Sequence, residues 1–167
     1  MISERVIQSY KNQIKYHIIR PATVCGLSPR MRFDVTVNMF VYQALKKKKL
    51  NVFGGQQIRP NINIKDLIEV YIHFIKNPEI KQGCYNAGFE NLKIIDIAKL
   101  VNKHIPSKII VTKNTNDPRS YRQNSNKLIK TGFKPSYSVE KAILEIKKNF
   151  KENKILINEK CNTVKWM

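Results

Sequence analysis

At 167 residues the chain is long enough for one domain with its own hydrophobic core. No apolar run approaches the roughly 20 residues that cross a bilayer, and no signal-peptide pattern opens the chain, so we expect a soluble, cytoplasmic protein. The composition is strongly basic, with 31 Lys and Arg against 12 Asp and Glu and a net charge of +19.

The basic residues are mostly lysines scattered along the chain, and the one dense run, Lys46–Lys49, ends a predicted helix. Cations are favoured at a helix C-terminus and their long side chains stay solvated there, so we rank nucleic acid low as a partner. The three cysteines are far apart and no histidine lies at metal-ligand spacing. This pattern indicates neither a disulfide framework nor a metal site.

The spacing of apolar residues predicts alternating helices and strands. Residues 2–14 have apolar positions three to four apart, which predicts a helix with one buried stripe. Residues 16–24 predict a buried strand that ends at a Pro-Gly loop, and residues 58–64 predict an edge strand, because proline is tolerated at sheet edges. The other predicted elements are helices at 34–46 with Asp34 as N-cap, 65–76, 92–105, 125–130 and from Ser138 onward, and strands at 51–53, 84–88 and 108–111.

Four segments carry a resemblance to a known family: IRPATVCGLSPRMR (19–32), FGGQQIRPNINIKD (53–66), CYNAGFEN (84–91) and NDPRSYRQNSNKLIKTGFKPSYSVEKAI (116–143). In this order and spacing they resemble the C-terminal half of the extended short-chain dehydrogenases, the NAD-dependent sugar-nucleotide epimerases and dehydratases such as UDP-glucose 4-epimerase. The resemblance implies an α/β fold, the C-terminal part of an extended Rossmann-type sheet with a small mixed substrate-binding domain. It divides the chain into a remnant of the nucleotide-binding sheet (1–30), a substrate-binding region (31–150) and a polar, loosely attached tail (151–167).

The same resemblance implies residues that bind a nucleotide sugar. Arg59 matches the arginine that reaches the substrate diphosphate, and the alternative is an edge-strand arginine paired with a carboxylate. Asn38 matches an asparagine that contacts the nucleotide sugar, with a solvent-facing helix residue as the alternative. Tyr121 matches an aromatic of the substrate loop, and Arg119 beside it offers a second phosphate contact. An arginine is common seven positions before that tyrosine, where this chain has Asn114.

Thr23 stands where many relatives have an asparagine that touches the sugar, and its hydroxyl retains some hydrogen-bonding capacity. Pro21 and Ala22 match the stretch whose backbone approaches the nicotinamide of NAD, and a simple strand-end turn is the alternative. Asp66 is expected to be structural, at the start of a helix where a carboxylate is stabilised.

The resemblance also implies parts that this sequence does not supply. No Gly-x-x-Gly-x-x-Gly or Gly-x-Gly-x-x-Gly turn occurs, so no cradle for the dinucleotide pyrophosphate is expected. In the family the catalytic Tyr-x-x-x-Lys is followed almost at once by a segment like Ser3–Ile7, which places that pair before Met1. We therefore expect no oxidoreductase activity from this chain alone.

Two hypotheses follow. The first is a fragment or split-gene product that needs an N-terminal partner polypeptide or a second copy of itself, and it predicts an exposed apolar surface around residues 2–24. The second is a stand-alone binding module, either for nucleotide sugars or, through its charge, for nucleic acid. Nucleic-acid binding requires basic residues gathered on one face with aromatics between them, and affinity that falls steeply with salt.

Overall fold

Alternating amphipathic helices and short strands build an α/β fold, in agreement with the sequence. The computed structural model describes residues 2–113 and 119–163. Within that part of the chain the α-helices are α1 (Ile2–Ser9), α2 (Thr36–Lys47), α3 (Ile64–Lys76), α4 (Ile94–His104), α5 (Asn126–Ile129) and α6 (Val139–Lys151), with a final 3-10 turn at Glu159–Cys161. The strands are β1 (His17–Pro21), β2 (Thr23–Cys25), β3 (Lys49–Phe53), β4 (Ile58–Asn63), β5 (Gly83–Ala87), β6 (Glu90–Lys93) and β7 (Lys108–Thr112).

The strands form three small sheets in which parallel pairing dominates. β1 pairs with β5, β3 pairs with β7 and β2 pairs with β4, all in parallel, while β6 pairs antiparallel with β4. The backbone passes from the β1–β5 sheet to the β2–β4–β6 sheet at Ala22, whose N–H donates to the carbonyl of Ala87 at 2.8 Å. Crossover helices between parallel strands are the usual way to cover such sheets.

Two hydrophobic clusters stabilise the fold. The larger joins one face each of α2, α4 and α6 to β3, and includes Val41, Ile97 and Ile143, all fully buried. The smaller packs α3 and α5 against β4 and β5 around Tyr85 and Leu128. Burial of apolar faces at helical spacing accounts for the agreement between the predicted and observed helices in this region.

The prediction for β4 was wrong in one respect, since this strand is central and not at an edge. It pairs with β2 on one side and β6 on the other. Pro60 fits because the β2 ladder begins only at Asn61, one residue later, so the missing N–H of the proline faces no β2 partner. Asn61 and Asn63 are buried, whereas an edge strand with a polar face would expose them.

The N-terminal region also differs from expectation. α1 ends at Ser9, and its apolar stripe, predicted to be buried, is exposed: Ile2 is 83% and Val6 53% exposed. β1 is half-buried and pairs on one side only among the described residues. The side chains that tie α1 to the sheet are polar, because Glu4 binds Arg20 and the Gln8 amide donates to Cys84 Sγ.

The helix starts follow local side-chain chemistry, with one correction. Ser138 caps α6 as predicted, since its hydroxyl accepts from the Lys141 N–H. Asp34 does not cap α2. The N-cap position is Val35, and the Asp34 carboxylate instead binds the Arg32 guanidinium.

The segment after α6 contacts the domain at Ile155, Cys161 and Thr163. Cys161 is buried in the larger cluster and its carbonyl accepts from the Phe33 N–H at 2.7 Å, so this part of the predicted tail lies against the domain. In the part of the chain that the structure describes, no helix has the length and apolar character of a membrane span.

Candidate functional site

Two adjoining clefts lie where β1 ends and β2 begins. We call the first, of about 340 Å³, the Tyr121 cleft, and the second, of about 460 Å³, the Arg30 cleft. The clefts share Ala22 and Thr23. They lie at the carboxyl end of β1, where the chain changes sheets, and open α/β sheets commonly bind ligands at such a position.

The Tyr121 cleft contains part of the loop that follows β7. The Tyr121 N–H donates to the Ile58 carbonyl at 3.2 Å, and the Ile58 N–H donates to the Ser120 hydroxyl at 3.0 Å. This docks the loop on the start of β4. Tyr121, Arg122 and Gln123 then line the cleft opposite Pro21.

Arg59 projects from β4 towards this loop. Its guanidinium lies 5.2 Å from the centre of the Tyr121 ring and donates hydrogen bonds to the carbonyls of Ile58, at 3.1 Å, and of Arg119. The structure thus brings the Arg59 guanidinium, the Tyr121 ring and the backbone carbonyl of Arg119 together, and of these three residues Tyr121 lines the cleft. Asn114, at the position of a second arginine in relatives, lies outside the described residues.

Three more predicted site residues lie at the junction of the clefts. Thr23 is half-buried, pairs with Asn61 in the β2–β4 ladder and lines both clefts. Ala22 lines both clefts and Pro21 lines the Tyr121 cleft. The strand-end turn therefore forms the floor of a cavity.

Asn38 lines the Arg30 cleft but is not solvent-facing, since it is only 3% exposed. Its Oδ1 accepts from the Gly26 N–H at 3.0 Å and its Nδ2 lies 3.5 Å from the Gly26 carbonyl. Gly26 has φ +122°, and an added Cβ would lie 3.0 Å from Ile64 Cγ2, so the position requires glycine. Asn38 thereby fixes the turn that leads into the segment 28–32.

Arg30 and Arg32 both line the Arg30 cleft, and neither was predicted from the sequence as a site residue. The missed signal is the alternation in residues 30–33. Met31 and Phe33 are buried in the core, and Arg30 and Arg32, which alternate with them, are exposed. Arg32 forms a bidentate ion pair with Asp34, at 3.0 and 3.1 Å, and this bond raises the pKa of the guanidinium.

Gln123 is a second residue that the sequence analysis did not select. Its backbone exchanges two hydrogen bonds with the Asn91 side chain, at 2.8 and 3.1 Å, and its Nε2 donates to the Arg20 carbonyl at 2.9 Å. Gly88 makes room for it, because a Cβ at that position would collide with the Gln123 amide and lie 2.6 Å from Ala22 Cβ. These contacts fix the Tyr121 loop to the end of β1.

The side chains that line the two clefts supply hydrogen-bond donors and acceptors, guanidinium groups and apolar surface. Burial raises the pKa of the Cys25 thiol to about 12, so this lining residue is neutral at pH 7 and is not a nucleophile. The spacing Tyr-x-x-x-Lys occurs at Tyr42–Lys46 and Tyr137–Lys141, and neither pair lines either cleft. Over residues 2–113 and 119–163, His, Cys, Asp and Glu form no cluster suited to a metal ion.

The parallel strand pairs, their crossover helices and a cleft at a change of sheet define a Rossmann-like α/β protein. The sequence profile of the NAD dependent epimerase/dehydratase family matches residues 1–88, just over half of the chain, and the chain belongs to that family.

Solved structures with this fold include several epimerases. UDP-glucuronic acid 4-epimerase from Bacillus cereus is 24% identical, with a TM-score of 0.74 over 90% of this chain and 50% of that chain. ADP-L-glycero-D-manno-heptose-6-epimerase from Helicobacter pylori is 21% identical, with a TM-score of 0.73 over 89% and 48%. UDP-glucose 4-epimerase from Thermotoga maritima is 17% identical, with a TM-score of 0.74 over 91% and 52%. The chain spans about half the length of these structures.

Proposed function

We propose that this chain forms the nucleotide-sugar-binding part of an NAD-dependent epimerase or dehydratase. The observation that carries the proposal is the convergence of Arg59, Tyr121 and Arg119 beside a cleft whose floor contains Thr23. A nucleotide sugar presents a diphosphate, and the planar fork of arginine donates paired, charge-assisted hydrogen bonds to such groups.

Each residue has a distinct role in this proposal. Arg59 binds the diphosphate, the Tyr121 ring supports the Arg59 guanidinium, and the backbone carbonyl of Arg119 holds that guanidinium in place. The Arg119 side chain is proposed as a second positive charge. Thr23 donates to or accepts from a sugar hydroxyl, since it lines both clefts. Asn38 acts on the ligand indirectly, by holding Gly26 and the wall of the Arg30 cleft.

In this proposal the nicotinamide end of NAD binds beside Pro21 and Ala22, where β1 ends. Pro21, Ala22 and Pro60 form an apolar patch in the otherwise polar lining of the Tyr121 cleft, and in this proposal the flat nicotinamide ring packs on that patch. The solved structures of relatives include complexes with NAD. When bound, NAD supplies hydride transfer. The contribution of Pro21 and Ala22 is to position the ring and to exclude water from it.

We propose further that a polypeptide carrying the nucleotide-binding half of the fold covers α1 and β1. The polar side chains of α1 hold it to Arg20 and Cys84, so its apolar stripe points away from the sheet. No described strand pairs with the outer edge of β1, and parallel sheets are normally covered on both faces. A partner polypeptide with a strand parallel to β1 would pair with the outer edge of β1, and an apolar surface on the same polypeptide would cover the stripe of α1.

Sedimentation velocity tests this partner. We expect the chain to form a one-to-one complex with the purified nucleotide-binding half of a UDP-glucose 4-epimerase, and Val6→Asp to prevent it. Ser3→Asp, on the same helix and also exposed, is the control. Self-association that Val6→Asp abolishes would assign the surface to a second copy of the chain, and a complex unaffected by Val6→Asp would contradict the proposal.

Isothermal titration of the chain with UDP-glucose and with dTDP-glucose tests the ligand. We expect Arg59→Ala to weaken binding by about ten- to hundredfold, the usual value of a charge-assisted hydrogen bond. Arg5→Ala removes the same charge from an exposed position on α1 and should change the affinity by less than about twofold. Equal losses in the two variants would reduce the effect to net charge and refute the role of Arg59.

Nucleic acid is the second candidate, and one observation favours it. The Tyr137 ring lies between two ammonium groups, 5.4 Å from Lys65 Nζ and 5.3 Å from Lys141 Nζ, outside both clefts. Basic groups flanking an exposed aromatic suit single-stranded nucleic acid. Binding to an oligonucleotide that falls steeply between about 50 and 200 mM salt and requires Tyr137 would support this alternative.

A further inference from the structure

The outer edge of β7 carries backbone groups that no described residue pairs. β7 joins β3 in a two-stranded sheet, and in the part of the chain that the structure describes no strand lies on its other side. The Lys108 N–H and the Thr112 carbonyl bond to the backbone at the two ends of β3, at 2.9 and 2.7 Å. Since the N–H and C=O groups of successive residues alternate in direction along a strand, those of Ile109 and Val111 point away from β3.

The opposite edge of this sheet is closed by a side chain. The Asn51 N–H of β3, which points away from β7, donates to the Gln43 Oε1 of α2 at 3.1 Å. Among residues 2–113 and 119–163, no side chain bonds in this way to the outward groups of Ile109 and Val111. The sheet therefore has one closed edge and one edge open to a further strand.

The centre of β7 lacks the residues that usually protect a sheet edge. Ile109–Thr112 are four β-branched residues in succession, which favour a strand, and they include no proline, glycine or charge. Val111 is 53% exposed. Lysines lie only at the two ends, at Lys108 and Lys113. The middle of the edge is therefore suited to pairing with another strand.

The edge is held in place before a partner binds. All five residues of β7 pair in register with β3, and Ile109 packs against the larger hydrophobic cluster. The turn before β7 is fixed as well, because the Ser107 N–H donates to Asn102 Oδ1 at 2.8 Å. An ordered edge loses little conformational freedom when a further strand is added.

Positive charge surrounds the open edge and determines which strand it favours. Residues 46–53 and 108–113 contain six lysines and no Asp or Glu. Lys49 and Lys108 lie opposite each other in the ladder, and both are exposed. Like charges directly opposite each other destabilise a sheet, and a carboxylate bound beside them relieves that repulsion. A second copy of β7 would bring further lysines to the same edge, so the charge favours an acidic partner over self-association.

We propose that β7 binds an acidic, extended segment of another protein as a third strand of the β3–β7 sheet. The outward backbone groups of Ile109 and Val111 supply the hydrogen bonds, and the lysines at the ends of the strand bind the carboxylates of the segment. The exposed Val111 side chain adds an apolar contact. β7 lines neither cleft, so this inference does not depend on the proposed function, and its failure would leave that function intact.

Fluorescence anisotropy of the full chain with a labelled peptide of alternating Glu and Val tests the inference. We expect this peptide to bind, and a peptide of alternating Lys and Val to bind at least about tenfold more weakly. Val111→Pro should weaken the Glu-Val peptide by about tenfold, the upper value for one backbone hydrogen bond, because proline removes the outward N–H. The bonds of Ile110 and Thr112 to β3 stay in place, since proline is tolerated at a sheet edge. Val111→Thr keeps the N–H and is the matched control, which should bind the peptide within about threefold of the original chain.

A change in the peptide separates strand pairing from charge attraction even if Val111→Pro fails to fold. N-methylation of every peptide residue keeps the charge and removes the backbone donors, so this peptide should bind the original chain at least about tenfold more weakly. Equal affinities of the two peptides would reduce the interaction to charge and overturn the inference. Binding of a thymidine oligonucleotide without binding of the Glu-Val peptide would assign the lysines to nucleic acid and also overturn it. Self-association in sedimentation velocity that Val111→Pro abolishes would assign the edge to a second copy of the chain, with the same consequence.

Discussion

The Asn38→Ala variant should destabilise the protein because the Asn38 amide is the hydrogen-bond acceptor of a buried backbone N–H. Asn38 is 3% exposed, and its Oδ1 is an acceptor for the Gly26 N–H at 3.0 Å, while the contact of Nδ2 with the Gly26 carbonyl, at 3.5 Å, is at the limit of a hydrogen bond. Alanine leaves a buried N–H without that acceptor, which costs about 1–3 kcal/mol, and leaves a small cavity as well.

We expect a loss of about 2–3 kcal/mol in the free energy of unfolding, most of it from the unsatisfied N–H. For a chain of this size, that loss lowers Tm by about 4–12 °C. Urea unfolding followed by circular dichroism measures the first quantity and calorimetry the second. Asn12→Ala, at an exposed turn, is the control and should stay within about 0.5 kcal/mol of the original chain.

A loss below about 0.5 kcal/mol in Asn38→Ala would refute the structural role of the amide. The same variant then separates the two interpretations of Asn38. If the amide acts only through Gly26, the variant weakens the binding of UDP-glucose and of dTDP-glucose together and does so in proportion to its destabilisation. A large loss of ligand affinity without loss of stability would instead assign Asn38 to direct ligand contact.

Three other predictions concern titration, thiol reactivity and close packing. Burial raises the pKa of Asp66 above its ordinary value of 3.8, so the stability contributed by its protonated form is full below pH 3.8 and is lost as the pH rises through the folded-state pKa. The free energy of unfolding of the original chain relative to Asp66→Asn, measured with urea, should therefore decrease from pH 3.5 to pH 7. An increase over that range would contradict the prediction. In the folded protein a thiol reagent at pH 8 should label half-buried Cys84 before buried Cys25, whose pKa is about 12, and equal rates would count against the structure. Gly88→Ala should displace Gln123 and weaken UDP-glucose binding at least about tenfold, whereas unchanged affinity would show that the loop tolerates the shift.

The sequence predicted most helices of the fold because their apolar faces are buried in this chain. α4 and α6 have stripes at helical spacing, and the structure buries those stripes in the larger cluster. α3 instead buries Val70 and Phe74, and its predicted stripe residues Ile68, Tyr71 and Ile75 are 51%, 49% and 78% exposed. The same reasoning was wrong about burial for α1. Periodicity reports that a helix has an apolar face, but it does not report which molecule covers that face.

The strand β4 shows a second limit of sequence reasoning. Proline favours an edge position because it lacks an N–H, but what matters is whether a neighbouring strand reaches that residue. β2 is only three residues long and stops short of Pro60, so a central strand tolerates it. The length of a neighbouring strand is set by tertiary structure and cannot be read from the local sequence.

For the site, resemblance selected residues by position, and the geometry distinguishes their roles. Arg59 and Tyr121 form a contact, which supports their joint assignment, whereas Asn38 is bonded to the backbone of Gly26. Arg30 was missed because its exposure depends on the buried side chains beside it. Alternation of charged and apolar residues, which ordinarily predicts a strand, was therefore a usable signal of exposure in this loop.

Arg20 links the exposed surface of α1 to the Tyr121 cleft. Its guanidinium binds both carboxylate oxygens of Glu4 on α1, at 2.9 and 2.7 Å, and its carbonyl accepts from Gln123 Nε2 at 2.9 Å. A polypeptide that covers α1 and extends the β1 sheet would restrain Arg20, and through Gln123 the loop that carries Tyr121. Ordering a loop before the ligand arrives removes part of the entropic cost of binding. We therefore expect UDP-glucose to bind more tightly to the complex with the nucleotide-binding half than to the chain alone, when both affinities are measured by titration. Gln123→Ala should reduce this gain in affinity. An equal gain in Gln123→Ala would show that the two surfaces act independently.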